Sequence, residues 1–120
     1  MHVPNRAEVL EQWTSLIAGT TARQDVHHWA TQWVELSATE IPDPLTMKAL
    51  QYLHGFDMAY DSKNHIGHDI SLKWVYSMQD IADVLTRWKA ECLEYDRDPV
   101  DFKRRGRQRA MEEITRKKEQ

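Results

Sequence analysis

TARQDVHHWATQWVEL, residues 21–36, carries the clearest periodic pattern in the chain. Its apolar residues recur at intervals of three and four, which is the spacing of one face of an α-helix. Thr21 and Gln24 stand in the capping-box relation, so the helix is predicted to begin there. Two tryptophans one turn apart bury a large apolar area, so this helix requires several packing partners. The apolar stripe consists of Val26, Trp29, Ala30, Trp33 and Val34.

Four further stretches carry helix signals of the same kind. Each is preceded by Asn, Asp or Ser, the residue types that cap helix N-termini. Pro44 and Pro99 suit a first helical turn, and Gly19 and Gly55 supply stops after the first and third helices. Together with the central helix, the predicted helices cover residues 6–18, 21–36, 44–55, 77–94 and 99–118.

The chain between residues 56 and 76 carries a different pattern. Residues 56–69, FDMAYDSKNHIGHD, have no clear period and are rich in turn-forming residues, which predicts a loop. Ile70, Leu72, Trp74 and Tyr76 then alternate in a strand-like pattern. Because this strand has no evident partner, we expect a short extended segment packed on the helices; a small hairpin with the preceding loop is the alternative. The predicted fold class is all-α, a compact bundle of about four helices plus a basic C-terminal helix.

Length and composition suit an ordinary globular protein. The 120 residues predict one domain, with residues 1–98 as its helical body and residues 99–120 as its C-terminal helix. A hydrophobic content of 41% and five tryptophans allow a substantial core. There is no apolar run of membrane-spanning length and no secretory signal pattern, so a cytoplasmic location is expected. Cys92, the one cysteine, is predicted to be a buried small hydrophobe.

The charge is distributed unevenly along the chain. Residues 1–98 hold 8 basic and 15 acidic residues, a net charge of −7, whereas residues 99–120 hold 8 basic and 4 acidic residues, a net charge of +4. The whole chain therefore carries −3. This division into an acidic body and a basic tail is more informative about binding partners than the net charge of the whole chain.

Histidines raise the question of a metal site. His65 and His68, with Asp61 and Asp69 nearby, could supply ligands, but a His-x-x-His in a polar loop is a weak signal because zinc needs three or four well-placed ligands. His27 and His28 point to different sides of the central helix, so at most one of them could join such a site. Solvated histidines are the simpler interpretation, and no metal is predicted.

Catalytic motifs are not evident in the sequence. A nucleophile needs a base and an orienting group, and Cys92 lies on an apolar helical stripe instead. The chain contains no G-x-S-x-G, P-loop or G-x-G-x-x-G motif. We therefore expect a protein that is not an enzyme and needs no cofactor.

Two charged sets are candidates for partner binding. The basic run KRRGRQR could contact nucleic-acid phosphates through Lys103, Arg104, Arg105, Arg107 and Arg109, although a solvated helical face is the simpler interpretation and the acidic body would repel DNA. Acidic residues collect around the 56–69 loop and the helix after it. Such carboxylates are usually solvated, but a cluster of them can also give a cationic protein partner its specificity and association rate. The acidic set is Asp57, Asp61, Asp69, Asp80 and Asp83.

The order and spacing of several residues resemble a family of small bacterial toxin-immunity proteins, including those of contact-dependent growth inhibition. The resemblance covers about residues 10–90; the loop over residues 58–70 is longer than the family pattern, and the helix from Pro99 lies outside it. The residues that carry the resemblance are Trp13, Leu16, Gly19 and Arg23, then Trp29-Ala30 and Trp33-Val34, then Ala49-Leu50, Leu53, Gly55 and Asp57, and finally Asp80-Ile81 and Trp88.

The resemblance implies a small cytosolic non-enzyme that protects the producing cell by binding one toxin domain. Such toxins are often nucleases, whose basic substrate-binding surfaces an acidic protein can occlude. The implied partner is therefore a cognate toxin domain, with no membrane, nucleic-acid or small-molecule partner. The alternatives are a nucleic-acid-binding or regulatory helical protein that uses the basic C-terminal helix, and a metal-dependent enzyme that uses His65, His68 and Asp69. The predicted partner-binding residues are Asp57, Tyr60, Asp61, Asp69, Asp80 and Asp83.

Overall fold

The computed structural model describes residues 2–36, 40–68 and 73–118. The chain forms two compact units, an N-terminal unit over Met1–Trp88 and a C-terminal unit over Lys89–Gln120. The described elements are α1 (Arg6–Ala18), α2 (Arg23–Thr31), a π-helical segment (Gln32–Leu36), α3 (Pro44–Gly55), β1 (Met58–Tyr60), β2 (Ile66–His68), β3 (Lys73–Trp74), α4 (Met78–Arg97) and α5 (Pro99–Lys118).

Helix α1 has the predicted bounds because its end signals are local. The side chain of Asn5 accepts a hydrogen bond from the backbone N–H of Glu8, and the Glu8 side chain accepts one from the backbone N–H of Asn5, which completes the capping box. Gly19 ends the helix in the left-handed conformation at φ 81°, where a side chain would be strained. The predicted start of α3 is confirmed in the same way, because Asp43 caps the N-terminus through the backbone N–H of Thr46.

The central helix differs from its prediction at both ends. It begins at Arg23 after Ala22, which makes no side-chain cap, so the predicted Thr21–Gln24 capping box is wrong. Past Thr31 the backbone widens into the π-helical segment. The Thr31 hydroxyl donates to the carbonyl oxygen of His27 at 2.7 Å, and the Gln32 amide donates to that of Trp29 at 3.2 Å. Each bond adds a side-chain donor to a backbone carbonyl of this turn.

The core of the N-terminal unit is centred on Trp13. Its ring lies between those of Tyr52, Phe56 and Trp88, with centroid distances of 5.5–5.8 Å. The predicted burial of Trp33 is confirmed, whereas Trp29 is only partly buried and packs edge-on against Trp33. The other fully buried apolar residues of this unit include Val9, Val26, Leu45, Leu50, Leu53 and Ile81.

A small antiparallel sheet stands where the sequence predicts a loop and an isolated extended segment. The strand order is β2-β1-β3 in the described residues. Strand β1 pairs with β2 through Met58↔His68 and with β3 through Ala59↔Trp74. The extended segment pairs with the preceding loop through β3 and β1, as the alternative proposed, whereas the β1–β2 hairpin lies wholly within the predicted loop. The fold is mostly helical rather than purely all-α. Ile70 and Leu72, on which the predicted extended segment partly rested, lie outside the described residues.

Helices α4 and α5 follow their predicted caps. Ser77 and Asp80 exchange hydrogen bonds between side chain and backbone N–H at the start of α4, and Asp98 accepts from the backbone N–H of Asp101 at the start of α5. Helix α4 extends to Arg97, three residues past the prediction, and Cys92 on it is buried.

The first turn of α5 is only partly packed. Phe102 packs edge-on against Tyr95 in the C-terminal unit, but Val100 is 76% exposed. The helix continues past Gly106 to Lys118 with no buried residue. None of the helices in the described residues has the length and apolarity needed to cross a membrane.

Candidate functional site

Three histidines from three different elements meet inside the N-terminal unit. His27 comes from α2, His54 from the last turn of α3 and His68 from β2. One ring nitrogen of each, either Nδ1 or Nε2, lies within 4.8 Å of a ring nitrogen of each of the other two. The ring centroids are 4.4 Å apart for His27 and His68, 4.5 Å for His27 and His54, and 5.1 Å for His54 and His68. We call these three residues the histidine cluster.

The position of each histidine follows from the element that carries it. His27 comes directly after Val26 on the buried face of α2, so its ring points toward α3. His54 stands one turn after the buried Leu50. The pairing of His68 with Met58 brings β2 back beside the chain that leaves α3. The cluster is therefore a product of helix packing and strand pairing together.

Asp57 lies against the cluster and is fully buried. Its Oδ1 accepts a short hydrogen bond from Nδ1 of His68 and lies 3.4 Å from Nδ1 of His27. Its Oδ2 has no hydrogen-bond partner within the described chain. A carboxylate without solvent is costly unless it is paired, so Asp57 depends on these imidazoles and they depend on it.

The contacts of His27 define its tautomer. Its Nδ1 is 2.7 Å from the carbonyl oxygen of His54, which can only accept, so Nδ1 carries the proton. In the neutral ring the lone pair then lies on Nε2. Nε2 lies 3.4 Å from the hydroxyl of Thr31, whose proton is donated to the His27 carbonyl at 2.7 Å. The Nε2 lone pair therefore has at most a weak donor.

His54 has an unusual environment on its Nε2 atom. This nitrogen is buried, and it lies 3.3 Å from Oε2 of Glu35 without the direction that a hydrogen bond requires. Glu35 belongs to the π-helical segment and is half exposed. Segments of this kind often occur near functional sites, because they shift side chains out of the α-helical register.

The cluster fits a divalent metal ion of intermediate softness by its chemistry. Imidazole nitrogens are the usual ligands of zinc, copper, iron and nickel, and zinc accepts three histidines with a fourth position left open. A buried carboxylate that holds the far nitrogen of a ligating histidine is the common second shell of such sites. His68 and Asp57 have this relation.

The metal cluster weighed from sequence does not form among the described residues. His65 lies in the turn just before β2, whereas His68 is the last residue of that strand. The His65 side chain is 74% exposed and lies 3.6 Å from Asp61 in the hairpin turn, whereas His68 points to Asp57. Asp69 lies outside the described residues. The prediction that at most one of the pair His27 and His28 could join a site agrees with the structure, since His28 is exposed.

The predicted partner-binding residues separate into two groups. Asp57 is fully buried against the histidine cluster and cannot belong to an exposed acidic surface, so this assignment is wrong. Asp61 is in the β1–β2 turn, and Asp80 and Asp83 lie on the first turns of α4. Tyr60 is half buried in β1. Asp69 again lies outside the described residues.

The basic residues of α5 stand on a helix with no buried position. Arg104 and Arg105 pair with Asp101 on the same helix, and Arg105 lies 3.6 Å from Glu94. These ion pairs engage two of the basic side chains. Lys103, Arg107 and Arg109 are exposed.

Sequence reasoning missed His54 and the true surroundings of Asp57. The three histidines are spread over 42 residues, so no local spacing links them. A weak signal was present in the sequence. His27 directly follows an apolar position of the α2 stripe, and His54 stands one turn after an apolar position of the α3 stripe. Histidines on two buried helix faces are candidates for one shared site.

The comparisons with known proteins identify no relative. No family model, curated protein or solved structure matches the chain. The resemblance to immunity proteins and the function that it implies therefore rest on the residues themselves.

Proposed function

We propose that the protein is an immunity protein that binds and neutralises a cognate bacterial toxin domain, with a nuclease as the toxin class. Neutralisation works by occlusion of the basic active or substrate-binding surface. The observation that carries the proposal is a set of solvent-accessible carboxylates, each held by a local hydrogen bond, on a unit of strong negative charge. We call this set, Asp61, Asp80 and Asp83, the acidic set.

Local hydrogen bonds hold the carboxylates of the acidic set in place. Oδ1 of Asp61 accepts from the backbone N–H groups of Lys63 and His65. Oδ2 of Asp80 accepts from the backbone N–H of Ser77, and Oδ1 of Asp83 accepts from the Gln79 amide. An ordered carboxylate loses less conformational entropy on binding than a free one, which favours recognition of a cationic surface.

The charge of the N-terminal unit supports the same partner. Residues 1–88 hold 6 basic and 11 acidic residues, a net charge of −5. Two of the basic side chains are engaged internally. Arg23 is buried and donates to the carbonyl oxygens of Phe56 and Tyr76, and Arg6 pairs with Asp43. The remaining surface attracts a basic protein and repels nucleic acid.

Two matched triple variants test the proposal. The first, D61N/D80N/D83N, removes three charges of the acidic set while its amide oxygens preserve the local hydrogen bonds. The control, E11Q/D25N/E40Q, removes three exposed charges elsewhere on the N-terminal unit. Affinity for the toxin domain encoded beside this chain is measured by calorimetry, and protection by co-expression. We expect the first variant to bind about tenfold or more weakly, since a desolvated charge pair is lost, and the control to change mainly the association rate.

The outcomes separate the function from its surface. If the wild type neither binds the toxin domain nor protects cells, the immunity function is wrong. If both triple variants bind equally well, the function stands and the acidic set is not the contact surface.

Nucleic-acid binding through α5 is the second candidate. It is favoured by the exposure of Lys103, Arg107 and Arg109 on a helix without a buried face. Phosphate contacts of this kind would give binding that weakens steeply with salt. Removal of the C-terminal half of α5, residues 107–120, distinguishes this candidate from toxin binding.

A further inference from the structure

We propose that His27, His54 and His68 bind a divalent transition-metal ion, with zinc as the preferred ion. This inference goes beyond the proposed function and does not depend on it. One ring nitrogen from each histidine already lies within 4.8 Å of the other two. Three Zn–N bonds of about 2.0–2.1 Å in tetrahedral geometry place their nitrogens about 3.4 Å apart. Small side-chain rotations therefore suffice to close the site.

The hydrogen bonds around the rings leave lone pairs available for a metal. Nδ1 of His27 donates to the His54 carbonyl, and Nδ1 of His68 donates to Asp57, so each neutral ring keeps its lone pair on Nε2. Nε2 of His54 is buried without a hydrogen-bond partner. A buried nitrogen without a hydrogen-bond partner is unfavourable in the metal-free protein, and coordination of a cation would satisfy it.

Asp57 is the positioning residue of the proposed site. It holds the far nitrogen of His68, which fixes the ring and raises the basicity of the ligating nitrogen. Its own Oδ2 is buried without a partner among the described residues. A positive ion among the imidazoles would offset this buried negative charge. A bound cation would thus balance the charge of Asp57 while the imidazoles stay neutral.

A metal at this position would link three elements of the fold directly. Strands β1, β2 and β3 have three, three and two residues, and so small a sheet contributes little stability alone. Ligands from α2, α3 and β2 would attach the sheet to the helices. The described residues offer three ligands in mutual reach, so the fourth position would be open to solvent, as in zinc sites with three histidines.

The test begins with the full-length protein after treatment with a chelator. Zn²⁺ binding is measured by calorimetry, and Co²⁺ binding by its visible ligand-field bands. We expect one equivalent of each ion to bind the folded protein. At a free Zn²⁺ concentration of about 100 times Kd, the free energy of unfolding should rise by about 2.7 kcal/mol.

Substitutions locate the site. We expect H27A, H54A and H68A each to weaken Zn²⁺ binding by about tenfold or more, and the exposed controls H28A and H65A to leave it unchanged. D57N should weaken binding by about 10–100-fold, as second-shell changes do. A structural role alone would lower the melting temperature of D57N without changing its metal affinity.

A cysteine substitution keeps the test decisive if the alanine variants fail to fold. H54C retains a ligand, so Co²⁺ should still bind and should gain a thiolate-to-cobalt charge-transfer band that the wild type lacks. Absence of saturable binding by the folded wild type would overturn the proposal. So would equal weakening in H28A and H54A, or a cobalt spectrum of H54C without the new band.

Discussion

Single side chains join distant parts of the N-terminal unit through hydrogen bonds to backbone carbonyls. Trp13 donates from its indole nitrogen to Ile81 at 3.1 Å, and Trp88 donates to Leu45 at 2.8 Å. Each bond satisfies a polar group that would otherwise be buried alone, which costs about 1–3 kcal/mol. These tryptophans therefore position α1 and α4 as well as filling the core.

Arg23 has a comparable role at the start of α2. Besides its two backbone acceptors, its guanidinium lies 4.3 Å from the ring centroid of Trp74. Burial lowers the pKa of Arg23 below its usual value, yet the side chain remains a cation at neutral pH because that value is very high. Arg23 and Asp57 both contribute to the resemblance, and in the structure both are buried and hold the fold.

Asp43 provides a prediction at this scale. Hydrogen bonds from Arg6, at 2.7 and 3.1 Å, lower the pKa of Asp43 from 3.8 to about 2. A lowered pKa means that the charge stabilises the folded state above pH 3.8 and loses its effect as the pH falls to about 2. We expect D43N, which keeps the α3 cap, to lose about 1 kcal/mol at pH 7, since solvent screens this partly exposed pair.

Urea denaturation of wild type and D43N between pH 7 and pH 2.5 measures this difference. It should shrink as the pH falls below 4. The same substitution in an R6Q background should have little effect at any pH, because the charge partner is absent. A difference that stays constant with pH would assign the effect to the helix cap instead of the ion pair.

At the scale of elements, success in prediction depended on how local the signals are. The caps Asn5, Asp43 and Asp98 lie within three residues of the groups that they bind, so α1, α3 and α5 could be predicted from sequence. The π-helical segment could not, because the apolar stripe continues through Trp33 and Val34 with an α-helical spacing. The sheet was missed because strands of two or three residues are too short to show a period.

The histidine cluster was beyond sequence analysis for a similar reason. Its members come together through the packing of α2 on α3 and the pairing of β1 with β2, and neither can be read from spacing. The solvent-accessible acids Asp61, Asp80 and Asp83 were easier to identify, because turns and helix starts favour them. Burial of Asp57 was missed because one residue separates it from the last turn of α3.

Helix α5 provides a prediction at the scale of elements. No residue of its described length is buried, and residues 107–120 carry only a few apolar side chains. We expect deletion of residues 107–120 to change the melting temperature by less than about 5 °C, roughly 1 kcal/mol for a domain of this size. Deletion of residues 99–120 should cost more, because it also removes Phe102 from Tyr95. A fall beyond roughly 10 °C for the shorter deletion would show that the helix is docked along its length.

The whole molecule combines charges of opposite sign in its two units. The N-terminal unit carries −5, while residues 89–120 hold 10 basic and 8 acidic residues, a net charge of +2. The basic surface of the proposed toxin would be repelled by this positive segment, whereas nucleic-acid phosphates would be attracted to it. Long-range attraction mainly affects association rates and is screened by salt over about 10 Å at 0.1 M. The C-terminal half of α5 is therefore the natural place to separate the two functions.

Deletion of residues 107–120 removes five basic and three acidic residues and changes the net charge from −3 to −5. If a basic toxin domain is the partner, its association rate at low salt should rise by roughly a few-fold, with little change in dissociation. The full-length control R107Q/R109Q has the same net charge, so it should show the same rise. Stopped-flow measurements over a salt series test this. A rate that falls in both variants, or nucleic-acid binding that both variants lose, would favour the basic helix as the contact surface.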